Sequence, residues 1–393
     1  MVQYITTISN PPPSPVPEDV AKKSHHVASG GFKNPWESWR ILSFFEILRK
    51  MVVRRLTGKA NIPNVTPPTV PVRRPRFLAD RTTSNLRATW LGHACYFVEF
   101  PGGLRVLFDP VFEDRCSPLS WLGPKRYTEM PCQLEHIPFI DAVVISHNHY
   151  DHLSYPTIKQ VHDRHPQCHF FAPLGNKHWF TAAGIHNMTE LDWWEERELS
   201  ISTSSSGSSS ASNERNIVAK LSCLPCQHTS SRTLWDRSKS LWASWSVESG
   251  GSKVYFAGDT GYRTVPELPK HIDDYGPGHD YPHCPVFRQI GELRGPFHLG
   301  MIPIGAYDPR YIMSPMHADP HDAVNIFRDT KCQKALAMHW GTWVLTEEDV
   351  LEPPKKLKEC LTRYNIPETG VFDACDIGES REFESDSANL SYL

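Results

Sequence analysis

The chain lacks a strong excess of either charge. Its 393 residues carry a formal net charge of -3 at pH 7, which argues against a nucleic-acid platform, and no nucleic-acid partner is expected. Regular cysteine spacing is also missing. Ten cysteines scattered through the chain read as reduced thiols of an intracellular protein rather than as a disulfide framework. The first 31 residues have no apolar stretch of the kind a secretory signal carries, and they contain no arginine, while Glu18 and Asp19 interrupt the pattern of a mitochondrial leader. The absence of acids before Glu18 still leaves both the mitochondrion and the cytoplasmic face of a membrane open.

Histidine, by contrast, is plentiful, with 20 in the chain. Three of them fall in His147-Asn148-His149-Tyr150-Asp151-His152, directly after the apolar run Ala142-Val143-Val144-Ile145. Imidazole and carboxylate are the ligands that zinc and neighbouring divalent metals prefer. After a strand, residues two apart can face one ion while those four and five along reach a second. Further candidates sit past other strand-like runs: His228 after 221–227, Asp259 after 254–258 and His339 after 335–338. Loops beyond strand ends are where a sheet scaffold usually builds its site.

Hydrophobic content of 39% is enough for one large domain or two ordinary ones. Residues 1–31, rich in proline and serine, read as a disordered tail. Residues 32–80 read as an amphipathic segment followed by a proline-rich strap. In 36–56, ten apolar residues recur at mixed spacings of three and four among Arg40, Arg49, Lys50, Arg54 and Arg55, which suits a helix. It is too charged to cross a bilayer. Either it lies in the headgroup layer as a peripheral membrane anchor, or it packs on the catalytic domain or on a sister subunit in a homodimer. A hydrolase domain is expected over 81–375, with insertions near 200–215, where serines dominate, and 271–287. Residues 376–393 read as a disordered acidic tail. Helices are expected at 155–165 and 321–330, the latter capped by Asp319 with Pro320 at its first position. His93 and Asp109 are read as groups that orient metal ligands, with a buried structural role for His93 equally open.

The order HNHYDH, His228, GDTG with Asp259 and MHWG with His339 resembles the metallo-β-lactamase superfamily. Longer blocks resemble its N-acylphosphatidylethanolamine-hydrolysing phospholipase D family: FKNPWESW at 32–39, ATWLGHA at 88–94, LGPKR at 122–126, ELDWWEE at 190–196, IPIGAYDPR at 302–310 and AMHWGT at 337–342. The resemblance implies an α/β fold, the four-layer αβ/βα sandwich. It implies two Zn2+ ions per chain, one held by His147, His149 and His228, the other by Asp151, His152 and His339, with Asp259 between them. Asp151, Asp259 and His317 would be the catalytic positions, with His317 beside the substrate phosphate. Met316 stands where the family usually has glutamine, which removes one polar contact. The implied reaction is hydrolysis of the membrane phospholipid N-acylphosphatidylethanolamine to an N-acylethanolamine and phosphatidic acid. A soluble lactonase or nucleotide phosphodiesterase, and a non-catalytic lipid-binding scaffold, are the alternatives.

Overall fold

The computed structural model describes residues 2–205, 216–269 and 272–384. Its strands in chain order are β1 (Val2–Ser9), β2 (Leu86–Trp90), β3 (Tyr96–Glu99), β4 (Arg105–Phe108), β5 (Ala142–Val144), β6 (His169–Pro173), β7 (Met188–Leu191) and β8 (Glu196–Ser205). These are followed by β9 (Ile217–Leu224), β10 (Ser244–Ser249), β11 (Ser252–Phe256), β12 (Leu299–Pro303), β13 (Ala335–Met338), β14 (Phe372–Asp373) and β15 (Ser380–Phe383). The helices are α1 (Phe44–Leu56), α2 (Tyr155–Arg164), α3 (Lys177–Ala182), α4 (Val286–Leu293), α5 (Arg310–Met313), α6 (Pro320–Asp329) and α7 (Glu352–Arg363).

Two mixed sheets face each other, ordered β1-β8-β9-β10-β11-β12-β13-β14 and β15-β2-β3-β4-β5-β6-β7. Each is antiparallel at one end and turns parallel, from β11 to β14 in one and from β4 to β7 in the other. Period-two alternation decides which side chains meet. Tyr96, Val98, Val106, Phe108 and Val144 point between the sheets and pack with Leu221, Trp245, Val247 and Phe256. Their neighbours Phe97, Leu107 and Val143 point outward and are covered by Ile158 and Val161 of α2 and Phe180 of α3. Helices α4, α6 and α7 cover the other sheet through Ile290, Ile326, Phe327 and Leu357. The result is the expected four-layer αβ/βα sandwich.

Tyr96 fastens one sheet to the other, its hydroxyl donating at 2.8 Å to the carbonyl of Ala337, two residues before His339. Tyr96→Phe is expected to cost about 1 kcal/mol in urea unfolding, the net value of one buried hydrogen bond. An unchanged midpoint would show that this bond contributes nothing to holding the sheets together.

The expected helices are present, and α6 is capped by Asp319, whose side chain accepts from Asp322 N, with Pro320 in the first turn. The termini depart from expectation. Within 1–31, Val2–Ser9 pairs antiparallel with β8, because Val2, Ile5, Thr6, Thr7 and Ile8 are β-branched residues suited to a strand. Residues 200–205 of the serine-rich insertion continue β8, and the rest of that run lies outside the described residues. In 272–287 the chain is docked: Tyr275 stacks on His321 with centroids 3.5 Å apart, and Val286 and Phe287 are core residues of α4. Within 376–393, Ile377 is buried and β15 pairs with β2, while 385–393 lie outside the described residues. The amphipathic helix is shorter than 36–56, because Ser43 caps it in a capping box with Glu46. Among the described residues, no helix is long and apolar enough to cross a membrane.

Candidate metal centre

Every candidate ligand lies just past a strand. His147 to His152 follow β5, His228 follows β9, Asp259 follows β11 and His339 follows β13. The backbone there is constrained. Nine non-glycine residues have positive φ among the described residues, and four of them, His93, Asp109, Ala306 and His339, surround this site. Strain of that kind concentrates where packing over-determines a functional geometry. Gly258 explains one sequence requirement: at φ +59 a Cβ would meet the Cβ of Ser146 at 2.6 Å, so only glycine lets the Asp259 turn approach the histidine loop.

Three imidazoles converge at one end of the site. His147 Nε2 lies 2.8 Å from His149 Nδ1, which lies 3.3 Å from His228 Nε2. At the other end, Asp151 Oδ2 is 3.4 Å from His152 Nε2 and 3.5 Å from His339 Nε2. Asp259 lies between them. Its Oδ2 is 2.9 Å from His339 Nε2 and 3.2 Å from His152 Nε2, and it is also 3.7 Å from His228 Nε2 and 4.0 Å from His147 Nε2. His317 Nδ1 stands 3.8 Å from the same oxygen. All eight sequence-derived site residues are therefore brought together.

Neighbouring groups orient the ligands. Asp109 Oδ2 bonds His152 Nδ1 at 2.7 Å, and Ser146 bonds both Asp109 and, at 2.9 Å, His147 Nδ1. His228 Nδ1 donates to the Met316 carbonyl at 2.9 Å, leaving Nε2 as the free lone pair. His93 Nε2 bonds Asp151 Oδ2 at 2.9 Å. Cys226, in a Cys223-Leu-Pro-Cys226 pair that the reading of the cysteines overlooked, donates its thiol to the main-chain oxygen of Asp259.

Burial pushes His147 and His228 well below the ordinary imidazole value, with neighbouring imidazoles adding to the effect. Burial raises the Asp259 carboxyl, but the imidazoles of His152 and His339 outweigh it and hold the group well below its usual range. Burial lowers His152 and His339 as well, but the carboxylates of Asp259 and Asp151 outweigh it and push both up, His339 to about 9. His147 and His228 thus present neutral nitrogens to a divalent cation, whereas its binding at His152 and His339 would release their protons. The donor set fits such a cation on a second count: His152 Nε2, His339 Nε2 and Asp259 Oδ1 are buried without a hydrogen-bond partner. Buried polar atoms are rarely left so, and several facing one another point to an ion.

A Beta-lactamase superfamily domain model matches residues 104–340. N-acyl-phosphatidylethanolamine-hydrolyzing phospholipase D 1 of Caenorhabditis elegans is 36% identical over 363 residues, covering 88% of this chain and 91% of the relative. The chain belongs to this phospholipase D family of the β-lactamase superfamily. A second member, the mitochondrial N-acyl-phosphatidylethanolamine-hydrolyzing phospholipase D of Saccharomyces cerevisiae, is 33% identical over 75% of this chain and 56% of its own length. Family and fold together make the chain a metal-dependent hydrolase, with the histidine and aspartate groups above as its candidate ligands.

Proposed function

We propose that the chain is a two-zinc phosphodiesterase that hydrolyses N-acylphosphatidylethanolamine to an N-acylethanolamine and phosphatidic acid. The observation that carries the two-ion reading is the position of Asp259 Oδ2, within 4.0 Å of ligand nitrogens on both sides. His147, His149 and His228 would hold one ion, and Asp151, His152 and His339 the other, with Asp259 shared. Ions held there would supply Lewis acidity toward phosphoryl oxygens and a water of lowered pKa.

The chain's own residues do the positioning. Asp151, Asp259 and His317 open onto a cavity of about 280 Å³ whose other walls include Met313, Leu345 and Ala306. Polar groups of the ligand cluster and apolar side chains thus line one cavity, a combination that suits a lipid diester. His317 Nδ1 has no hydrogen-bond partner and can donate to a phosphoryl oxygen. Asp109 and the Met316 carbonyl hold His152 and His228 so that their ligating nitrogens need not reorient.

The reading extends to a membrane surface. In α1, Ile47, Lys50, Met51 and Arg54 are half-buried against the domain, whereas Phe45, Leu48, Val52 and Leu56 are exposed. The helix therefore docks by one face and presents an apolar one outward, next to exposed Arg49 and Arg55.

The purified protein, assayed against N-acylphosphatidylethanolamine, an N-acyl lactone and a small nucleotide diester, should release N-acylethanolamine and phosphatidic acid from the first. Faster turnover of the lactone or the nucleotide would overturn the assignment.

A further inference from the structure

The segment that the sequence places outside the hydrolase domain reaches the back of the metal centre. Asn34 is buried, and its Nδ2 donates at 2.7 Å to the main-chain carbonyl of His228. Ser38, also buried, donates to the side chain of Gln227, whose Nε2 in turn donates at 3.0 Å to the carbonyl of Pro315. Pro315 and Met316 belong to the loop that carries His317, and Met316 accepts from His228 Nδ1. These bonds close a circuit of Asn34, His228, Met316, Pro315, Gln227 and Ser38 around one candidate ligand.

Both ends of the segment are anchored. At the near end, His25 and His26 bond the two oxygens of Asp192 at 2.7 and 2.8 Å, and Lys23 joins them at 2.9 Å. With an ammonium on the same carboxylate this trio is a clamp, not a metal site. Trp36 then stacks on Trp193 with centroids 5.4 Å apart and planes 16° from parallel. At the far end, the Ser38 carbonyl accepts from Thr264 Oγ1 at 2.6 Å, and that hydroxyl in turn accepts from Arg40 N at 3.1 Å. Four residues later α1 begins.

We propose that residues 23–40 form a strut that sets the position of His228, with Asn34 and Ser38 as positioning residues for this ligand and for the His317 loop. A ligand on a loop has main-chain freedom that its ring contacts alone do not remove. The Asn34 bond fixes the carbonyl of the ligand itself, and the Ser38–Gln227 pair fixes the loop to which the ring is bonded. Groups that orient a ligand from behind typically govern metal affinity by about 10–100-fold.

The inference rests on the proposed role of His228 as a ligand, not on the lipid substrate. The test uses the full-length, zinc-loaded protein challenged with excess chelator, with release of each ion followed by a metal indicator. In Asn34→Ala one of the two ions should leave about tenfold faster or more, the other at the parent rate. Ser38→Ala should show the same selectivity, and it serves if Asn34→Ala fails to fold. Parent-like release of both ions would overturn the strut, as would simultaneous release of both with a lowered unfolding midpoint, since that marks general structural support. A parent that binds two ions yet leaves N-acylphosphatidylethanolamine intact would overturn the substrate reading while the strut stands. A parent that binds none would overturn the strut.

Discussion

Asp259→Asn is expected to lower turnover by at least about a hundredfold and to reduce bound metal from two ions per chain to one or none. The amide keeps the shape of the side chain but loses its charge, and its nitrogen is a donor where an acceptor is needed. Asp259 Oδ2 lies among the nitrogens of four candidate ligand imidazoles, His339, His152, His228 and His147, at 2.9 to 4.0 Å, with His317 Nδ1 a fifth at 3.8 Å, so the loss falls on both halves of the site. Loss of a single transition-state contact commonly costs ~10²–10³ in kcat, which sets the lower bound. His147→Ala makes the comparison specific. It removes one nitrogen from the His149 and His228 group and leaves Asp151, His152 and His339 intact, so one ion per chain should remain by elemental analysis. Two ions per chain and near-parent turnover in Asp259→Asn would show that the carboxylate is not shared.

Legibility from sequence follows from how local each interaction is. The His147 to His152 cluster, Asp259 and His339 were readable because each ligand follows its own apolar strand within a few residues. Asp109 was readable for the same reason, at the end of β4. The partner it orients, His152, lies 43 positions away, and that pairing needed the parallel register of β4 and β5. The contribution of 23–40 was hidden more deeply: Asn34 and His228 are 194 residues apart, and no local pattern marks a side chain that will cap a distant carbonyl. Composition misled at both termini. Proline and serine in 1–31 dominated the reading, although 2–9 alone has strand character and the partner strand β8 supplies the missing pairing. Likewise β15 pairs along the edge that β2 offers, and Phe383 packs on the core. The pair Cys223 and Cys226 carried no weight in the reading, yet both thiols are free and buried, and the second touches the main chain of Asp259.

Replacing Phe45, Leu48 and Leu56 together with Ser should strip the enzyme from lipid vesicles while leaving its metal centre intact. These side chains are 79%, 49% and 82% exposed, so the substitution removes little buried apolar area. Full burial of such a side chain is worth ~1.5–3 kcal/mol, and even about 1 kcal/mol each would lower vesicle partitioning on the order of a hundredfold. The helix itself should persist. Its Ser43 and Glu46 capping box is untouched, Lys50 still reaches Glu267 at 2.8 Å, and Arg54 still pairs with buried Glu347. Activity on N-acylphosphatidylethanolamine in vesicles should therefore fall with binding, while hydrolysis of a small soluble phosphodiester stays at the parent rate. Unchanged vesicle binding and activity would remove the membrane role from this helix and favour a sister subunit as the cover for its outer face. Equal loss on both substrates would carry a different meaning. Glu347 adjoins Leu345 and Thr346, which line the cavity, so a helix that shifted on losing its outer face would pull on the substrate wall through the Arg54–Glu347 pair. In that case α1 acts on the site from within the domain, and membrane contact is not its function.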